Sequence, residues 1–126
     1  MPLSLAQVQR LARLTGGLAV LAVIVLSVVP GDFRPHSGLP GIAEHFVFYL
    51  GGAGLLAIGY EKWVSAGVVA LVLSLAAVIL ELAQLAIPHR DANLLDVLMS
   101  AAGAIIGAGL ARLFAYVWRQ LSAALK

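Results

Sequence analysis

The strongest constraint on this chain is a set of four apolar runs, each close to the length that crosses a lipid bilayer. They cover residues 14–29, 42–60, 65–87 and 94–118 and consist mostly of Leu, Ala, Val, Ile and Gly. The third, SAGVVALVLSLAAVILELAQLAI, holds one charged residue, Glu81. About 20 helical residues span a hydrocarbon core of ~30 Å. Within such a core every backbone polar group must be satisfied inside the protein, which leaves helices or a closed barrel. A barrel requires short segments alternating apolar and polar residues, and no such alternation occurs here. The expected class is therefore all-α, a polytopic membrane protein. Its 126 residues would form a single membrane domain, an antiparallel bundle of four transmembrane helices joined by short loops.

Composition agrees. Hydrophobic residues make up 62% of the chain and charged ones 11%, against about 25% charged in soluble domains. There is no cysteine, which removes disulfides, thiolate nucleophiles and zinc-thiolate sites. The net charge of +2 is spread along the chain, so no basic stripe for nucleic acid is present.

Ahead of the first run, SLAQVQRLAR places Gln7 three residues after Ser4, the spacing of a capping box. Leu5, Val8, Leu11 and Ala12 suggest an apolar strip beside Arg10 and Arg13, read as a short interfacial helix leading into the membrane. Cations before an apolar run also resemble a signal peptide. The run closes on LSVVPG without a small-x-small cleavage site, so an uncleaved helix is expected.

Cations set the expected orientation. Arg10, Arg13, Lys62, Arg112, Arg119 and Lys126 fall on one side, and Arg34 and Arg90 on the other. The positive-inside rule then places both termini in the cytoplasm of a multi-pass protein of the bacterial inner membrane. The loops at residues 31–41 and 88–93 would face outward. Tyr116 and Trp118 suit an interfacial aromatic belt.

Small residues recur at helical spacing: Gly67, Ala70, Ser74 and Ala77 in the third run, Ser100, Gly103 and Gly107 in the fourth, Gly52 and Gly59 in the second. Such stripes let helix backbones approach closely, and Gly52, Gly59, Gly103 and Gly107 are the expected packing positions. The GxxxG of the fourth run would serve either a homodimer or packing within the bundle.

Polar residues gather at the outer ends of these stripes: Glu44 and His45 opening the second span, Glu81 and Gln84 near the end of the third, Arg90 and Asn93 in the turn, Asp96 and Ser100 on the fourth. Helix capping accounts for Asn93 and Asp96, and Glu44 has the same explanation. Arg90 would otherwise be a headgroup anchor. Glu81 is harder to explain. If the helix runs to Ile87, Glu81 lies about 9 Å inside its C-terminal end, where the helix dipole disfavours an anion. A carboxylate at mid-membrane costs roughly 2.5–3.5 kcal/mol on insertion scales, and intramembrane carboxylates are functional candidates by default. Gln84, His45 and Arg90 are its candidate partners, and Glu81 is the candidate catalytic residue if there is one.

No HExxH, Walker loop, GxSxG or CxxC is present. His36, His45 and His89 could join carboxylates around a divalent ion, but their spacing matches no ligand pattern, so neither a metal nor a cofactor is expected.

Taken in order, EHFVFY at residues 44–49, ELAQ at 81–84, Pro88-His89-Arg90 and DVLMSAAGAIIG at 96–107 resemble the VanZ-like family of small bacterial membrane proteins. That family's pattern is a His-Phe near the start of one span, a Glu-x-x-Gln at the end of the next, a Pro-x-Arg turn and an Asp opening a Gly-rich final span. The likeness covers roughly residues 34–109. Ser100 stands where family members often have Asn, and His89 where many have Gly. The resemblance implies a link to the cell envelope, since the founding member is associated with glycopeptide resistance. On that basis the expected function is an accessory or binding protein, with an outward polar pocket for a lipid-linked or surface glycan component. The alternatives are a membrane-embedded enzyme using Glu81 as base on a lipid headgroup, and a small proton-coupled carrier. Membrane lipids are the expected partners.

Overall fold

In the computed structural model, which describes residues 4–124, the first helix starts where the sequence signals it. The Ser4 hydroxyl accepts from the Gln7 backbone N–H at 3.3 Å, and the Gln7 side-chain oxygen accepts from the Ser4 N–H at 2.8 Å. This reciprocal pair is a capping box. From there the chain stays helical through α1, Leu5–Val28.

The segment read as an interfacial helix leading into the membrane is continuous with the first span, residues 5–13 forming the N-terminal part of α1. A tertiary contact holds them in line. Arg13 donates to the Gly59 carbonyl at 2.9 Å, and its guanidinium lies 5.2 Å from the Trp63 ring centroid. The buried face of this part differs from the expected strip. Gln9, Ala12 and Gly16 are covered, whereas Leu5, Val8 and Leu11 are exposed.

A single 3-10 turn, Gly31–Phe33, precedes α2, Gly41–Gly59; α3, Ala66–Gln84, and α4, Leu94–Ala124, follow. All four long helices are long and apolar enough to cross a membrane, and no strand occurs among the described residues. Consecutive helices run antiparallel, which makes α2 and α4 parallel neighbours. Gly103 meets Phe46, Gly107 meets Leu50, and Arg112 bonds the Ala57 carbonyl, so contacts advance together along both helices. α2 is central, lying between α4 and α1, and α3 packs on α4.

The interior is made of small residues. Ala53, Ala57, Ala70, Ala77, Ala104 and Ala108 form its core with Tyr49, Val69 and Leu73. Large aliphatic side chains such as Leu71, Val72, Ile79, Ile105 and Leu110 point outward. A soluble protein rarely exposes an apolar patch beyond a few hundred Å². Large residues outside and small ones inside is the arrangement that helices adopt where lipid surrounds them.

The stripes of the third and fourth spans are largely the buried ones: Ala70, Ala77, Glu81 and Gln84 on α3, and Ser100, Gly103 and Gly107 on α4. Gly67 is exposed. For α2 the buried set is Glu44, Tyr49, Gly52, Ala53, Ala57 and Gly59, while Phe48 is exposed. A helix with neighbours on two sides has no single packing stripe. Gly59 is pressed against Arg13, whose backbone N would lie 2.8 Å from an added Cβ, but Gly52 has ordinary van der Waals room.

Arg13, Lys62, Arg112 and Arg119 lie toward the end of the bundle that carries the 60–65 turn, and Arg34 and Arg90 at the opposite end; Lys126 lies outside the described residues. Two of the arginines finish helices. Arg112 donates to the Ala57 carbonyl at 2.9 Å, the Glu61 carbonyl at 3.3 Å and the Val64 carbonyl, completing the C-terminal end of α2 and its turn. Replacing it by Ala leaves these carbonyls short of donors. Arg112→Ala should therefore cost about 1–2 kcal/mol, with Arg112→Lys recovering only part because an ammonium lacks the planar fork. Thermal unfolding in detergent measures both.

Candidate functional site

The polar residues singled out in the sequence do converge at one end of the bundle, but they form two adjoining groups. The first surrounds a cleft, and the second lies between α2, α3 and α4, with His45 bordering both.

The cleft has a volume of about 180 Å³. Val23, Leu26 and Phe48 give it an apolar wall, and Arg34, Arg90, Gln84 and Tyr49 a polar one. Its floor is built by tying the 29–40 loop over the start of α2. Glu44, 9% exposed, accepts from the Arg34 guanidinium and the Ser37 hydroxyl. A first-turn acid here anchors a loop as well as facing a helix dipole. Arg90 donates to the Val29 carbonyl at 3.0 Å and to the Leu26 carbonyl, so it completes the C-terminus of α1. It is held in place, unlike a free headgroup anchor. Burial and then the positive charge of Arg34 push the Arg90 guanidinium below its usual pKa, and Glu81 and Glu44 oppose that shift. Two guanidiniums thus face one cleft, that of Arg34 paired there with Glu44.

Gln84 is 3% exposed, lines the cleft and makes no side-chain hydrogen bond among the described residues. Its amide is not sealed off, so it presents donors and an acceptor to whatever enters. A ligand would supply the partners that this amide lacks within the protein.

The loop and the hinge between α3 and α4 are locked together. The Gly31 N–H donates to the Pro88 carbonyl at 3.3 Å. Any side chain at Gly31 would collide with the His89 carbonyl oxygen, which would lie 2.0 Å from an added Cβ. His89 takes a left-handed conformation, φ 56°, the region in which Gly is easiest, and its Nδ1 is 2.6 Å from Asp32.

The second group answers the question posed by Glu81. α3 leaves regular helical geometry after Gln84, and residues 85–87 continue with i→i−3 bonds of 3-10 type. Glu81 is therefore in the last regular turn of α3, with the 3-10 residues 85–87 beyond it. It is 6% exposed, and its Oε1 accepts from the Asn93 backbone N–H at 2.7 Å. Asn93 in turn accepts from the Leu95 N–H at 2.9 Å, so the start of α4 is capped from both sides. None of the expected partners, Gln84, His45 or Arg90, hydrogen-bonds to Glu81. His45 and Asp96 nevertheless stand beside it: one ligating atom from each of the three lies within 4.8 Å of the others. The His45 Nδ1 is 3.1 Å from the hydroxyl of Ser100, which is fully buried.

Sequence reasoning missed Arg34, Ser37 and Tyr49. Tyr49 sits one turn after His45 and was open to discovery by spacing. Arg34 and Ser37 lie in a Gly- and Pro-rich loop where no periodicity fixes a direction. The Gly103 and Gly107 face, open in the sequence to self-association or internal packing, is covered by α2.

Compared with protein-family models, with curated proteins and with solved structures, the chain matches none.

Proposed function

We propose that this chain is a VanZ-like integral membrane protein of the bacterial cell envelope, whose polar cleft binds an anionic lipid-linked or glycan component. The observation that carries this reading is the convergence of Arg34, Arg90 and the unpartnered amide of Gln84 on one cleft with an apolar wall. Glu44 already pairs with Arg34 in this cleft, and an anion would add a partner for the Arg90 guanidinium. Arg is suited to the planar, bidentate recognition of phosphate or carboxylate. Val23, Leu26 and Phe48 supply a surface for a hydrocarbon part. The cation distribution supports an outward-facing cleft, and the motif order supports the envelope assignment. The enzymatic alternative draws less support, because Glu81 does not line the cleft and one of its oxygens already accepts from Asn93.

The test uses purified protein in detergent and a fluorescent short-chain phosphatidic acid, with phosphatidylcholine of the same chain length and inorganic phosphate as competitors. Gln84→Leu preserves side-chain volume and removes only the amide. It is expected to weaken binding of the anionic lipid at least tenfold, since a hydrogen bond to a charged group is worth about 1.5–3 kcal/mol. Equal binding of the anionic and zwitterionic lipids, or an unchanged affinity in the Leu variant, would overturn the proposal. Competition by inorganic phosphate at similar concentration shows that the headgroup alone is read; its failure to compete assigns the hydrocarbon wall a share.

A further inference from the structure

Three ligand-bearing side chains meet beside the cleft, and among the described residues no Lys or Arg makes a direct ion pair with any of them. His45 comes from α2, Glu81 from α3 and Asp96 from α4, and their ligating atoms lie within 4.8 Å of one another. The His45 Nε2 lies 3.7 Å from the Asp96 Oδ2. That is too long for a hydrogen bond. Two atoms about 2.1 Å from a shared ion stand roughly 3.0–3.5 Å apart, a spacing that small side-chain rotations reach.

Three further observations indicate what the group would hold. No Lys or Arg lies within ion-pair distance of Glu81 or Asp96 among the described residues. Glu81 is 6% exposed and uses only Oε1 in hydrogen bonding; Oε2 has no partner and is not sealed. A largely buried carboxylate with no direct ion pair gains from a cation at its free oxygen. Finally, Ser100 at the His45 Nδ1 fixes the ring and leaves Nε2 directed toward Asp96. A hydrogen bond to the far ring nitrogen is the usual outer support of a metal-ligating histidine.

We infer that His45, Glu81 and Asp96 form a binding site for a divalent transition-metal ion. One imidazole and two carboxylates suit Zn²⁺ or Mn²⁺, with the remaining coordination positions open to water or to a group reaching in. The ion would neutralise the two carboxylates and tie α2, α3 and α4 together at this end. Sequence spacing hides such a site because each ligand stands alone on its own helix. The inference does not depend on anion binding in the cleft, and either can fail without the other.

The experiment is calorimetric titration of the full chain, purified in detergent and freed of metal with a chelator, using ZnCl₂ and, separately, MnCl₂. Saturable binding of one ion per chain is expected with at least one of the two. Asp96→Asn and Glu81→Gln should each weaken it at least thirtyfold. Glu81→Gln keeps an oxygen acceptor for the Asn93 N–H, and Asp96→Asn leaves that bond untouched, so both variants are expected to stay folded. Ser100→Ala should weaken binding about tenfold, the lower range for loss of an outer-shell partner. The doubly substituted His36→Ala, His89→Ala chain should bind as the parent does. Absence of saturable binding for both ions overturns the inference. So does an affinity unchanged in Asp96→Asn and Glu81→Gln, or binding lost in the His36, His89 variant, which would assign the ion to surface histidines.

Discussion

Gly107→Val is expected to destabilise the bundle by about 3 kcal/mol or more, the upper range for overpacking. A Cβ added at Gly107 would lie 2.1 Å from the Leu50 carbonyl oxygen and 2.9 Å from the Leu50 Cα. One turn earlier, a Cβ at Gly103 would lie 2.4 Å from the Phe46 carbonyl oxygen and 3.0 Å from the Leu50 N–H nitrogen. These neighbours are backbone, so no side chain can swing aside. Relief requires α2 and α4 to separate, and their separation opens contacts along the largest helix pair of the bundle. In a lipid environment no hydrophobic drive between helices replaces the lost packing. Gly109 is the control, because nothing lies within 4 Å of an added Cβ there. Gly109→Ala should be neutral or stabilising by up to ~1 kcal/mol, through better helix propensity. Thermal unfolding of the three proteins in one detergent measures both effects. A Gly107→Val protein within 1 kcal/mol of the parent would mean that α2 and α4 are not in this close contact.

The contrast between Gly107 and Gly109 shows what the sequence could and could not specify. Helix number was legible, because runs of about twenty apolar residues bounded by Pro, Gly and charge have few other solutions in lipid. The close pairing through Gly103 and Gly107 was legible as a pattern, but its partner was not, since a small stripe does not say which helix meets it. Helix ends were read less well. Pro88 marked the end of α3 correctly as a boundary, yet the last turn before it tightens to 3-10 bonding, which leaves Glu81 in the last regular turn. At the N-terminus, Arg10 and Arg13 looked like an interfacial segment because the Gly59 carbonyl and Trp63 that hold Arg13 are far away in sequence. The polar site followed the same division. His45, Glu81 and Gln84 stood out because each is anomalous on an apolar helix, whereas capping accounted for Asp96 and Ser100 belonged to a small-residue stripe. Arg34 and Ser37 were missed because polar loop residues are ordinary until the loop's path is known.

Glu81→Ala is expected to cost about 3 kcal/mol, whereas Glu81→Gln should stay within about 1 kcal/mol of the parent. The difference separates the two things Glu81 can do. Its carboxylate accepts from the Asn93 N–H at 2.7 Å, across the hinge that joins α3 to α4. Alanine removes that acceptor, a hydrogen bond to a charged group worth about 1.5–3 kcal/mol, and adds the cavity left by a side chain that is 6% exposed. Glutamine keeps the oxygen and nearly the same volume but removes the charge. Removing the charge also ends the proximity of two carboxylates, Glu81 and Asp96, beside His45, so part of any loss is offset. If the hinge bond is the whole role of Glu81, the Gln chain will match the parent in thermal midpoint and in metal titration alike. If the carboxylate also serves as a ligand, the Gln chain will keep its midpoint without metal and lose the upward shift that Zn²⁺ or Mn²⁺ gives the parent, since an ion that binds only the folded state stabilises it by mass action. A Gln chain as unstable as the Ala chain would contradict the geometry, because it would mean that an oxygen acceptor at this position does not hold the start of α4.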